Sequence, residues 1–423
     1  MRFKESSLFR ILFYIGWSFL LIIHIYNNID DGTPISNGMI YLFFILICFI
    51  ILLMNAKRIK LRNREMAICL IYILFIIWSY GIGQFGKYSN EVSDNVITYS
   101  IFLILIFLSA ECLKILKCYY GFISLSFYII GAMLIERFLI YKNYLSGINV
   151  LMSFRRIGNY TRISFGFSHV NVMGNICLLE ICLGVLLLSQ IYKEKELGIL
   201  KKYIFYISSI SIIILDITIM LLTSTRTAIL CALLFLCMLL LIKIYYTNTK
   251  KIRIASMVVL FLLFTVLFVY AYFSGMVSWY FIDSIIGRDN STNLQLMKSV
   301  KQIILGIGFV QPGLFGKNAL GYTTTWMDNY YIYIFVTTGV VGCILNLGSI
   351  IIVGKHLYLE MKKNHGSDGA IVFTIFITLC LSGMMETCVM YPHYLFSIVA
   401  FVLFLAIFFD ADKGKFLSNE KVK

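Results

Sequence analysis

Between Arg155 and Asn175 the chain reads RRIGNYTRISFGFSHVNVMGN, with three arginines, one histidine, three asparagines and no acid, set between two long apolar segments. Polar residues at such density are costly beside hydrocarbon, so the stretch marks a place to look for chemistry. Two further polar groups open later apolar runs: Thr223-Ser224-Thr225-Arg226-Thr227 and Trp326-Met327-Asp328-Asn329-Tyr330. The start of a helix offers unpaired N–H groups and a partial positive charge, which together favour an anion. A guanidinium pairs with phosphate oxygens two at a time, so Arg155, Arg156, Arg162, Arg226 and Arg288 with three helix starts would suit a diphosphate at the depth of lipid headgroups. His169 adds an imidazole, the side chain best suited to moving a proton near neutrality. The plainer reading of each group is capping. Ser168, Thr223 or Ser224, and Asp328 are favoured N-cap residues, and Asn171 and Asn175, one turn apart, would bind a neighbouring helix.

Among the acids within apolar runs, Glu180, Asp216 and Glu386 bear on function. Glu180 and Asp216 sit mid-helix, where a charge needs a partner; they would form a proton pathway, as in a transporter, or be protonated or paired for structure. Glu386 lies near the end of its run, on the side of the three polar groups, and fits the same site. Gly81-Ile82-Gly83-Gln84-Phe85-Gly86 has the spacing of a dinucleotide loop but ends an apolar run instead of joining a strand to a helix. Asn290-Ser291-Thr292 is a glycosylation pattern, frequent by chance. The eleven cysteines lie almost all inside apolar runs with no Cys-x-x-Cys pair, so neither a disulfide framework nor a metal site is expected.

These residues must be positioned by membrane helices. Of the 423 residues 60% are hydrophobic and 13% charged, and the mean hydropathy is +0.88, outside the range of a soluble domain. The net charge of +15 would raise nucleic-acid binding in a soluble protein. Here the basic residues lie mostly in short connectors between apolar runs, as the positive-inside rule requires, and no nucleic-acid role is expected. The expected fold class is all-α: a polytopic membrane protein, one integral domain over residues 1–423. Runs long enough to cross about 30 Å of hydrocarbon number twelve, near 8–26, 39–54, 66–83, 96–111, 119–136, 170–192, 203–222, 228–246, 254–273, 329–353, 370–387 and 394–409. The first follows a basic start like a signal peptide's but is long and lacks a cleavage site, so it is expected to remain as a helix.

Counting Lys and Arg on either side of these spans puts 25 of 36 on the side of both termini, which is therefore expected to be cytoplasmic. Two long loops, 137–169 and 274–328, then face out, where loops of this length are usually functional. In the second, Leu294, Met297, Val300 and Ile304 share a helical face, which predicts a short helix on the membrane surface.

Four segments carry a resemblance. RISFGFSHVNVMGN resembles the R-x-S-x-G-F-x-H-P-N-x-x-G stretch of the O-antigen and capsule repeat-unit polymerases (Wzy-type), which are related to O-antigen ligases. LLTSTRTAIL is similar to their T-x-S-R-x-A element, GRDNSTNLQLMKSVKQIILGIGF to an R…I…L-G-x-G run, and DNYYIYIFVTTGVVG to an (H/D)-N-x-Y-L…G-x-x-G helix opening. The elements occur in family order across residues 155–342. Val170 replaces the usual proline, Thr225 the usual serine, and Asp328 the histidine of the ligase branch. The resemblance implies a metal-independent glycosyltransferase, GT-C-like in fold, in the bacterial cytoplasmic membrane. Its growing glycan would move from an undecaprenyl diphosphate carrier to a sugar hydroxyl of an incoming lipid-linked oligosaccharide, on the outer face. No cofactor is implied; flippase and chain-length-regulator proteins are the implied partners, besides membrane lipids. His169, Asp328 and Arg226 are the expected catalytic residues, with the base open between His169 and Asp328; Arg155, Arg156, Arg162, Asn171, Arg288, Asn329, Tyr330 and Glu386 are expected to bind substrate. A ligase is the nearest alternative. A lipid-linked oligosaccharide flippase is the alternative of another class, favoured by short loops, internal repeats and a midplane site; no repeat is evident, and the three polar groups lie at one surface.

Overall fold

A computed structural model describes residues 2–29, 35–59, 62–84, 89–142, 163–194, 198–223, 225–247, 297, 299–312, 327–363 and 368–410. The helices are α1 (Arg2–Tyr26), α2 (Asn37–Met54), α3 (Asn63–Gln84), α4 (Ser89–Leu116), α5 (Tyr119–Tyr141), α6 (Val170–Lys193), α7 (Ile199–Thr223) and α8 (Arg226–Thr247). They are followed by the short α9 (Val300–Leu305), then α10 (Tyr330–Lys363), α11 (Asp368–Ser382) and α12 (Leu395–Phe409). Among the described residues there is no strand, only an isolated bridge between Ile29 and Phe167. Nine of the helices are long and apolar enough to cross a membrane, and α11 and α12 are shorter apolar helices. Helices satisfy their own backbone groups, which hydrocarbon demands. The chain is thus an all-helical, multi-pass membrane protein. Eleven predicted spans fall on these helices; the span at 254–273 lies outside the described residues.

Burial sorts the helices into a centre and a periphery. Every residue of α12 is buried, and α6 is the most enclosed of the long helices, whereas α7 exposes Ile204, Ile207, Ile210, Ile214 and Ile217 along its length. An apolar face turned outward is what a lipid-facing helix needs. The central helices are joined by aromatic packing and by buried polar contacts such as Trp17 Nε1 donating to Ser126 Oγ at 2.9 Å. At the end away from His169, ion pairs tie neighbours together: Lys114 to Glu65, Lys193 to Asp368 and Lys117 to Asp410.

The predicted span at 329–353 is not a continuous helix. Helix α10 breaks at Gly339, whose φ of 66° and ψ of −170° lie outside helical geometry. The segment after α9 fills the break. The N–H groups of Ile307 and Gly308 donate to the carbonyls of Val336 and Thr337, each at 3.0 Å, and Trp78 Nε1 donates to the carbonyl of Thr338 at 2.9 Å. The carbonyls freed by the break are thereby satisfied, as buried backbone groups must be. The two strands of backbone touch so closely that a Cβ on Gly306 would lie 2.4 Å from the Thr337 carbonyl oxygen, and one on Gly339 would lie 2.2 Å from that of Ile304. Phe309 then inserts between Phe75, Tyr99 and Tyr333. The predicted surface helix is represented by α9, capped by a reciprocal Ser299–Gln302 box; Val300 and Ile304 face outward, and Leu294 lies outside the described residues.

Candidate active site

The first turn of α6 begins at His169, not Ser168. His169 has extended backbone geometry, and its Nδ1 accepts the Asn171 backbone N–H at 3.2 Å. The loop before it is anchored: Phe165 is buried against Phe138 and Tyr141, and the Ser168 N–H donates to the Asn28 carbonyl at the end of α1. His169 itself is exposed. With Nδ1 accepting, the neutral ring carries its proton on Nε2, which makes Nε2–H a donor.

The end of α11 was predicted to run through Glu386, but the helix stops at Ser382. Residues 383–394 form a compact non-helical connector to α12. The connector clamps the start of α10: Tyr330 N–H donates to the Gly383 carbonyl at 2.9 Å, Asn329 Nδ2 to the Met384 carbonyl at 2.9 Å, and Thr387 Oγ1 to the Met327 carbonyl at 2.7 Å. It also reaches α6, where Asn171 Nδ2 donates to Glu386 Oε1 at 2.7 Å. A hydrogen bond between residues so distant in sequence joins two of the predicted site groups directly.

Helix α8 joins them through its first turn. Thr225, just ahead of Arg226, is buried and packs where Gly174 of α6 has no side chain: a Cβ there would lie 2.2 Å from Thr225 Oγ1. Thr223 ends α7 and does not cap α8; its hydroxyl donates to the Met220 carbonyl at 2.8 Å and meets Thr225 Oγ1 at 2.9 Å. Arg226 is half-buried as the first residue of α8.

Asn329, not Asp328, caps α10. Its Oδ1 accepts the N–H groups of Tyr331 and Ile332 at 3.0 and 3.1 Å, so both ends of the amide have structural partners. Tyr330 is fully buried and donates to Asn346 Oδ1 at 2.8 Å, a contact inside α10 that fixes its first turns. Asp328 is half-buried beside this cap. In the connector, Tyr394 senses both acids: burial first, then the carboxylate of Glu386, the Cys388 thiol and the carboxylate of Asp328 push its phenol well above the ordinary range.

Compared with models of known protein families and with curated proteins, the chain finds no match.

The structure therefore gathers His169, Asn171, Arg226, Asp328, Asn329 and Glu386 at one end of the bundle, on the first turns of α6, α8 and α10 and on the connector. Arg155, Arg156, Arg162 and Arg288 lie outside the described residues. Sequence reasoning passed over Tyr394, and it gave Asn175 a structural contact. Asn175 is buried one turn below Asn171, and neither atom of its amide has a hydrogen-bond partner among the described residues. Its spacing from Asn171 was the available signal. Among the described residues no three His, Cys, Asp or Glu side chains come together as a metal site would require. Chemically, the end offers donors for an anion in His169 Nε2–H, Arg226 and helix N-termini, beside two carboxyl groups able to accept a proton.

Proposed function

We propose that this chain is a lipid-linked repeat-unit polymerase, a glycosyltransferase of about twelve membrane helices, GT-C-like in fold, with its candidate active site on the outer face of a bacterial cytoplasmic membrane. The observation that carries the reading is convergence. The four segments with family-like patterns meet pairwise in space: Gly174 on Thr225, and Gly306 and Gly308 on Thr337 and Gly339. The connector, at Glu386 and Met384, then joins Asn171 to Asn329. The alternation of helix direction agrees with both termini lying on the basic, cytoplasmic side.

In this reading a sugar hydroxyl of the incoming unit attacks the anomeric carbon of the growing chain, and the bond to the carrier diphosphate breaks. Arg226, His169 Nε2–H and the helix starts stabilise charge on the departing diphosphate, aided by the arginines at 155, 156, 162 and 288. The hydroxyl proton goes to a carboxylate. Asp328 is the better base, because its half-buried carboxyl is open to a substrate hydroxyl whereas that of Glu386 is buried, and Nδ1 of His169 accepts from the α6 backbone. Deleting the gene distinguishes the neighbouring readings. Single lipid-linked units that accumulate on the outer leaflet support a polymerase; finished but unattached polymer means a ligase, and units confined to the inner leaflet mean a flippase.

A further inference from the structure

On the face of α6 opposite Asn171, nine residues further along, Glu180 points into the seam with α7. It is wholly buried, as is Asp216 of α7, and among the described residues no side chain donates to any of their four carboxyl oxygens; the nearest donor is the Gly131 backbone N–H of α5, which acts on Glu180. Glu180 reaches towards α5, where Gly131 leaves room: a Cβ at that position would lie 2.9 Å from Glu180 Oε1. The charge acting on Glu180 is that of Asp216. The Cys177 thiol, one turn earlier on α6, faces both acids; α5 contributes Gly131, and α7 contributes Ile212 beside it. No cation acts on either carboxyl among the described residues.

The surroundings on α7 are also polar at regular spacing. Ser209, Asp216 and Thr223 recur every seven residues on the buried face of a helix otherwise largely turned outward. Seven residues are two helical turns, about 10 Å. Ser209 meets Tyr128 of α5 at 3.2 Å, and Thr223 meets Thr225 at the candidate active site. Two ionised carboxylates in such a place, with one backbone N–H at most and no cation among the described residues, would each forgo solvation and repel the other. Something positive must accompany them. A metal ion of the oxygen-binding kind takes about six or more ligands, and the Cys177 thiol beside the pair does not make it a metal-holding cluster: among the described residues no three His, Cys, Asp or Glu come together as one requires.

We propose that Glu180 and Asp216 form an intramembrane proton-binding site, with at least one proton held on the two carboxyls and closing the seam between α6 and α7. The site is separate from the candidate active site and does not depend on the polymerase reading. Proton uptake converts a carboxylate to a carboxylic acid, with no other reactant.

Infrared spectroscopy of the purified full-length protein in lipid, at neutral pH in light and heavy water, tests this. The expected result is a protonated-carboxyl C=O stretch that shifts in heavy water and is diminished or lost in Glu180→Gln and in Asp216→Asn, with thermal stability near wild type in both. Because the wild-type spectrum alone is informative, misfolding of a variant does not shield the idea. A wild-type spectrum without that band overturns it. So does a band unchanged in folded variants, or stabilisation of wild type but not of the variants by sodium or potassium ions, which would make the occupant a metal cation.

Discussion

The His169 imidazole cannot serve as cap and as base through the same nitrogen. Its Nδ1 accepts from the α6 backbone, so His169→Asn should preserve stability, asparagine being a favoured cap, while His169→Ala should cost about 1 kcal/mol; thermal melts of the purified protein compare them. Asp328→Asn should leave the fold intact, because Asn329 caps α10, yet lower turnover by about 10²- to 10⁴-fold if Asp328 is the base. Near-normal turnover would pass that role to Glu386. Arg226→Lys keeps the charge but loses the two-pronged phosphate contact, so glycan synthesis should fall well below wild type. Arg137, paired with Glu136 and set over the Tyr26 ring, is the control that should tolerate lysine. The sequence placed His169 and the Asp328-Asn329 pair in the site but could not assign their roles. Aspartate and asparagine are equally good caps, and which one caps α10 depends on where the connector grips its first turn.

At the scale of elements, helix ends were readable wherever apolar runs stop at polar residues, and the ends of α2, α6 and α12 lie close to prediction. Two interruptions were not. Helix α11 ends at Ser382 although apolar residues continue, because the connector's backbone is satisfied by α10 and by Ser397. Helix α10 breaks at Gly339 because Ile307, Gly308 and Trp78 supply the missing donors, a partnership that hydropathy cannot register. Gly339→Ala would bring a Cβ within 2.2 Å of the Ile304 carbonyl oxygen at a positive φ, so it should lower thermal stability markedly or prevent folding. Gly348, on the same helix, has nothing within 4 Å of an added Cβ and Gly348→Ala should be silent or slightly stabilising. Equal melting of the two variants would mean that the joint is not as close as described.

Across the whole molecule, the all-helical membrane architecture follows from composition, whereas the site is made by contacts that span much of the chain, such as Asn171 with Glu386. No local pattern encodes those distances; only the shared end of α6, α8 and α10 was available beforehand. Orientation is open to direct labelling. In a cysteine-free background, an impermeant maleimide applied to intact cells should label Ser168→Cys, which is exposed at the site, and spare Lys57→Cys, exposed at the opposite end; the reverse pattern would put the site in the cytoplasm. The central claim is tested most directly by supplying the purified protein with its lipid-linked repeat unit and measuring product length. Wild type should build polymer from these units alone, and Asp328→Asn should bind the carrier lipid but leave the units single. Units left single by the wild type, while the same protein carries them across a vesicle bilayer, would contradict the account.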